Sequence, residues 1–296
     1  MAPFRQCSPA VSSTSKTTCD SSVRGFDMWS SSAPIVVGVD GSDAAINAAL
    51  WAIDEATSRD VPLRIVYVTH SAEKTFSADG LRLDTQYAEA ALRTAVAAVE
   101  ATGKPVKVET EILWGTVKSM LINESRNAAM ICVGSTGIGA VAHKLFGSTA
   151  VTLAEQAYCP VAIIRTRKTP PDPSDWIVVA VDNEAGNETL VEFAMAEARL
   201  RKAPILAVGV RGDGLGKIAC GELDSRVNEW QQHYPDVNVY RVPADIRIDR
   251  FLAEYRSDTV QLAVVGAADA HRISQIVGPH GHSLVPHGEF SVLISH

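Results

Sequence analysis

Residues 35–68 read "IVVGVDGSDAAINAALWAIDEATSRDVPLRIVYV", and residues 177–210 read "IVVAVDNEAGNETLVEFAMAEARLRKAPILAVGV". The two stretches align without a gap at one constant offset. Ile35 falls on Ile177, Asp40 on Asp182, Glu55 on Glu197, Arg59 on Arg201, Pro62 on Pro204 and Val68 on Val210. "MICVGSTG" (130–137) and "LAVVGAAD" (262–269) follow in the same order. An internal duplication is the simplest account, joined through the proline-rich "RKTPPDPSD" (167–175).

Each copy alternates short apolar runs with helix-spaced segments. "PIVVGVD" has the continuous apolarity of a parallel strand buried on both faces. Ser42 or Asp43 can cap the helix that follows, where Ile46, Ala49, Leu50 and Ile53 recur at helical spacing. "VPLRIVYV" is a second strand. A long Ala-rich helix is expected from about Thr85 to Thr102, stopping at Gly103. "KVETEIL", "AAMICVG" and "PVAIIR" supply further strands, with helices over "VKSMLINESRNA" and Gly147–Tyr158 between them. The pattern predicts an α/β fold of two open parallel sheets with helices on both faces. The expected organisation is a Ser/Thr-rich disordered tail over 1–33, a first domain over 34–167, a linker over 168–174 and a second domain over 175–296.

Composition narrows the function classes. The 296 residues are 46% hydrophobic and 21% charged, with a formal net charge of −7. Such a chain has no basic field to attract nucleic acid or an anionic membrane, and no apolar run long enough to span one. Cys7, Cys19, Cys132, Cys159 and Cys220 form no CxxC pair, which fits a reducing cytoplasm. The tail has no apolar core of the kind a signal peptide needs.

The densest chemical signal is "CVGSTGIGAVAHKLFGSTA" (132–150), at the end of the fourth strand of the first copy. Ligands of open α/β sheets sit outside the carboxyl ends of the strands, where strand order reverses. Asp40 ends the first strand, so if the first and fourth strands are neighbours, both features open on one crevice. Gly147, Ser148 and Thr149 would start the final helix, with free N–H groups and a positive dipole end facing an anion. Asp40 can accept hydrogen bonds from a ribose hydroxyl or a base amine. The segment is neither a Walker A loop nor the dinucleotide fingerprint, whose glycines follow a first strand. His143 and Lys144 could neutralise phosphate or simply be solvated.

Gly134-x2-Gly137-x9-Gly147-Ser148, with "VGVDGS" before it and "CPVAII" after it, resembles the nucleotide-binding members of the universal stress protein family. The likeness covers nearly all of Pro34–His296 as a tandem similar to those of actinobacteria. It implies strand order 3-2-1-4-5 in each five-stranded sheet, which makes the first and fourth strands neighbours. It also implies ATP, with or without Mg2+, as ligand. By position, Val39, Asp40 and Val68 would contact the adenosine, Val133 and Gly134 would line the site, and Gly137, Gly147, Ser148 and Thr149 would cradle the phosphates.

The second copy departs from the motif. Asp182 is kept, but Asp269 stands where Gly137 does, and Gly278 is followed by Pro279 and His280. A carboxylate repels phosphate and proline removes a helix N-terminal donor, so this copy is expected to bind ATP weakly or not at all. Its expected role is as packing partner, in a pseudo-dimer within one chain formed by sheet-edge or helical pairing. A homodimer of whole chains is left open. His271, His280, His282 and His287 complete no recognised zinc spacing, so no metal site is expected. Trp51 and Trp114 read as core or surface filler.

Three functions compete: a cytoplasmic nucleotide-binding stress regulator, a slow ATPase or nucleotidyl-transfer enzyme, and a scaffold with a vestigial site. No base–nucleophile pair, Walker-type magnesium ligand or arginine finger can be assigned, so turnover is expected to be slow or absent.

Overall fold

The computed structural model describes residues 32–69, 78–137, 147–167, 172, 174–184, 186–212, 216–218, 220–243, 247–254, 259–272 and 290–296. The tail up to residue 31, the loop with His143 and Lys144, most of the linker, and the segment with Gly278, Pro279, His280, His282 and His287 lie outside the described residues. So do the side chains of His271 and Cys220.

The first half runs β1 (Ile35–Val39), α1 (Asp43–Arg59), β2 (Leu63–Thr69), α2 (Ala78–Glu100), β3 (Val108–Trp114), α3 (Val117–Glu124), β4 (Met130–Gly134), α4 (Ser148–Gln156) and β5 (Val161–Ile164). The second runs β6 (Trp176–Val181), α5 (Asn187–Arg201), β7 (Ile205–Gly209), a small hairpin of β8 (Arg211–Gly212) and β9 (Gly216–Lys217), α6 (Cys220–His233), β10 (Val239–Pro243), α7 (Ile248–Glu254), β11 (Val260–Gly266) and β12 (Ser291–Ser295). Helix α2 begins well ahead of Thr85. Gly80 and Asp84 lower local helix propensity, but the Thr85 hydroxyl donates to the Leu81 carbonyl (2.9 Å) inside a continuous helix.

Strand order in the first half is β3-β2-β1-β4-β5, all parallel. The second half repeats it as β10-β7-β6-β11-β12. The two sheets join edge to edge into a single ten-stranded sheet, and the join is the antiparallel pairing of β5 with β12. Ile163 stands opposite Val292, and Val161 opposite Ile294. Of the two arrangements open from sequence, sheet-edge pairing is the one observed, and a helix contact between α1 and α5 accompanies it.

Alternate strand residues feed two apolar layers. Val36, Ile131, Val133 and Ile163 join Leu121 of α3, Leu153 of α4 and Phe251 of α7 on one face. Ile35 and Val37 are fully buried on the other, where α1 lays down Ala45, Ala48, Ala49, Ala52 and Ile53. That alanine stripe lets α1 lie close to the strands. Cys132 and Cys159 are buried free thiols, and burial pushes Cys159 up to about 12.

Both first helices end alike. Asp60 after α1 and Lys202 after α5 adopt left-handed backbone, each with φ 54, and each turns its N–H back onto the last helical carbonyls. The duplication therefore extends to local geometry that no glycine announces.

Candidate functional site

The carboxyl ends of β1 and β4 diverge to opposite neighbours, β2 and β5, which opens a crevice between them. Asp40 leaves the end of β1, and its Oδ1 accepts the backbone N–H of Ser42 (3.0 Å). Gly41 makes that turn possible with φ 87. Ser42 then caps α1 by accepting the N–H of Ala45 (3.2 Å). The carboxylate of Asp40 is thus oriented by its own chain before any ligand arrives.

Val39 and Asp40 from the end of β1, Val68 from β2, Val133 and Gly134 from β4, Gly137, Gly147 and the α4 residues Ser148 and Thr149 all line this one crevice. Its volume is about 860 Å³. The glycines do different things within it. A Cβ on Gly134 would lie 2.6 Å from the Ala44 carbonyl carbon and 2.8 Å from the Ala45 nitrogen, so Gly134 lets β4 pass against the start of α1. A Cβ on Gly137 would collide with the Asp40 carboxylate. Gly147 is different: the nearest atom to an added Cβ is the Ser135 carbonyl oxygen, 3.9 Å away.

The N–H of Gly147 donates to that same oxygen (2.9 Å), so it is not a free donor. The donors left at this helix end are those of Ser148, Thr149 and Ala150, which have no preceding turn to bond. Among the described residues no side chain caps α4. Helix dipole and open N–H groups therefore meet the crevice at one end, and the Asp40 carboxylate meets it at the other.

Helix α2 adds residues that strand-end reasoning missed. Asp84, Tyr87 and Thr94 lie along one side of α2 and close the crevice, together with Tyr67 of β2. Burial raises the Tyr67 phenol above its usual range, and the Asp40 and Asp84 carboxylates raise it further. The spacing 84, 87, 91, 94 is a helical stripe, but only the packing of α2 over β2 aims it here.

Among the described residues, the second half has a smaller cavity at the equivalent place. Asp182 repeats the turn of Asp40, accepting the N–H of Glu184 (2.9 Å). Arg226 of α6 then donates to the Asp182 carbonyl (2.7 Å) and to Asn187 Oδ1 (3.0 Å), tying α6 to the end of β6 and the start of α5. Asp269, in the place of Gly137, pairs with Arg272 at 2.9 Å. Burial raises the Asp182 carboxyl; the Glu184 N–H pulls it back, while Glu184 and Asp269 push it up. The remaining cavity is about 250 Å³. Among the described residues no group of three His, Cys, Asp or Glu could hold a metal ion. No described helix is long and apolar enough to cross a membrane.

Comparison with known proteins agrees with this architecture. The universal stress protein family model matches residues 32–165. A universal stress protein of Mycobacterium tuberculosis strain H37Rv is 48% identical over 261 residues, covering 88% of this chain and 95% of the relative. Another from the same strain is 42% identical over 246 residues, covering 81% and 90%. Among solved structures, a universal stress protein from Archaeoglobus fulgidus DSM 4304 superposes with a TM-score of 0.67 at 17% identity, over 90% of this chain and 97% of that one, a likeness of fold. With near-complete coverage on both sides and a shared strand order, the chain belongs to the universal stress protein family.

Proposed function

We propose that the first half binds ATP or a related adenine nucleotide, with or without Mg2+, and that the protein is a cytoplasmic stress-response regulator. The observation that carries this reading is the pairing, within one crevice, of an uncapped helix N-terminus with an oriented carboxylate. Phosphates lie at the start of α4, where Gly147 leaves room and Ser148 and Thr149 add hydroxyls. The adenosine lies toward Asp40, Val39 and Val68, and Asp40 accepts from a sugar hydroxyl or the base amine.

The protein holds nucleotide and does not turn it over appreciably. The sequence supplies no assignable base–nucleophile pair, Walker-type magnesium ligand or arginine finger, which supports slow turnover or none. The second half is a packing partner with a closed site. Occupancy at the start of α4 is read by a protein partner, as stress signalling requires.

Titration of the whole chain with ATP and magnesium in a calorimeter tests the reading. A stoichiometry near one per chain is expected. A value near two would mean that Asp269 and Pro279 do not exclude nucleotide from the second half. No binding, with no nucleotide released from heat-denatured protein, would favour a scaffold instead. Phosphate release no faster than that of Asp40→Ala is expected; a steady excess would make it an ATPase.

A further inference from the structure

The crevice of the first half has two ends of opposite sign. At one, the N–H groups of Ser148, Thr149 and Ala150 begin α4 and carry its positive dipole end. At the other, Asp40 follows β1 and Asp84 stands half-buried on α2, the helix packed over β2. Burial first, and then both carboxylates, raise the Tyr67 phenol of β2, which sets the three groups close together. Among the described residues that line the crevice, Asp40 and Asp84 are the charged ones. The second of these charges comes from the packing of α2 and not from the glycine segment. In the second half α6 follows β7 as α2 follows β2, and it brings the opposite charge, Arg226, to Asp182.

Given adenosine at the Asp40 end, as proposed above, we propose that Asp84 is a specificity residue: its charge confines the first half to nucleotides with free 2′ and 3′ hydroxyls and excludes those phosphorylated on either oxygen.

The physics is that of a polarised cleft. A 5′ phosphate chain leads away from the sugar to the start of α4, where dipole and N–H groups stabilise it. A phosphate on the 2′ or 3′ oxygen stays at the carboxylate end and is opposed by two like charges. Hydroxyls at the same place can donate to those carboxylates. At about 860 Å³ the crevice is toward the large end of ligand pockets, so an added phosphate meets charge before it meets bulk. The site therefore sorts nucleotides by where their phosphates are attached.

Calorimetric titration of the intact protein and of Asp84→Asn, with ATP and with ATP carrying a 3′-phosphate, tests this. Wild type should bind ATP at least about tenfold more tightly than the 3′-phosphorylated form, and Asp84→Asn should cut that ratio about fivefold or more. The 5′ chain is common to both ligands, so the change in the ratio isolates the sugar end. A ratio near one in the wild type, or one that Asp84→Asn leaves unchanged, would overturn the proposal while ATP binding stands. Failure to bind ATP at all would overturn the nucleotide reading and this role of Asp84 with it. Should the variant not fold, ionic strength decides in the wild type. Added salt should narrow the gap between the two ligands. A gap that salt does not move means exclusion by shape and refutes the role of Asp84.

Discussion

The two halves share strand order, the carboxylate turn after the first strand and the left-handed residue that ends the first helix, yet only one keeps an open crevice. What they share is held by backbone turns and by alternating buried residues. What separates them is a handful of residues near strand ends: Asp269, paired with Arg272, for Gly137, and Pro279 and His280 for Ser148 and Thr149. A duplicated fold can therefore lose a binding site without disturbing the sheet that carried it, because the site rests on exposed strand ends and the sheet on its interior.

Substitutions can break or sharpen that contrast. The largest effect should come from Gly147→Val, which places a branched side chain in the crevice where, among the described residues, only the Ser135 carbonyl is near. ATP affinity should fall about a hundredfold, roughly 2.7 kcal/mol. The unfolding midpoint in urea should barely move. A coupled loss of stability would show that Gly147 serves the fold and not the ligand.

Next come the aligned glycines that end β4 and β11. Gly134→Ala drives a methyl into the backbone of α1 and should cost about 1–3 kcal/mol in urea unfolding. Gly266→Ala meets nothing within 4 Å among the described residues and should change stability by no more than about 0.5 kcal/mol. Equal costs would mean that the halves pack their first helices alike.

A smaller contrast separates the paired aspartates. Asp40→Ala should weaken ATP binding about tenfold, near 1.4 kcal/mol, and Asp182→Ala should leave the titration unchanged. The smallest effect belongs to Asp269→Gly. Losing the partly exposed pair with Arg272 should cost about 0.5 kcal/mol or less, and the ATP stoichiometry should remain one because Pro279 and His280 still stand in place of Ser148 and Thr149. A rise toward two would identify Asp269 as the sole barrier.

Much of this was legible in the residues. The constant offset between 35–68 and 177–210 gives the repeat, and apolar runs alternating with helical spacing give the α/β class. The glycine spacing names the crevice, because strand ends and helix starts have local signatures. Three features had none. The parts of Asp84 and Tyr87 depend on how α2 lies over β2, which no local pattern encodes. Arg226 reads as one more solvated helix charge until α6 is set against Asp182. Gly134 reads as a ligand glycine, whereas its missing side chain is required first by Ala44. The alignment of Glu55 with Glu197 was visible, but not that Arg201 would bridge the two, since that follows from how the halves join.

The join also bears on how the protein is made. Strand β12 leaves the ribosome after every other described strand of this sheet, yet it takes a place near the middle of it, between β11 and β5. Until it arrives, β5 and β11 each present an apolar edge with unpaired backbone groups, the kind of surface that invites pairing with another chain. The nascent chain therefore holds the β5 edge open for the whole time the second half is being translated, and the β11 edge for the last part of it. Closing them requires contacts far apart in sequence, which form slowly. Translation pauses after residue 164 should accordingly favour aggregation, whereas rapid completion of the second half should protect against it.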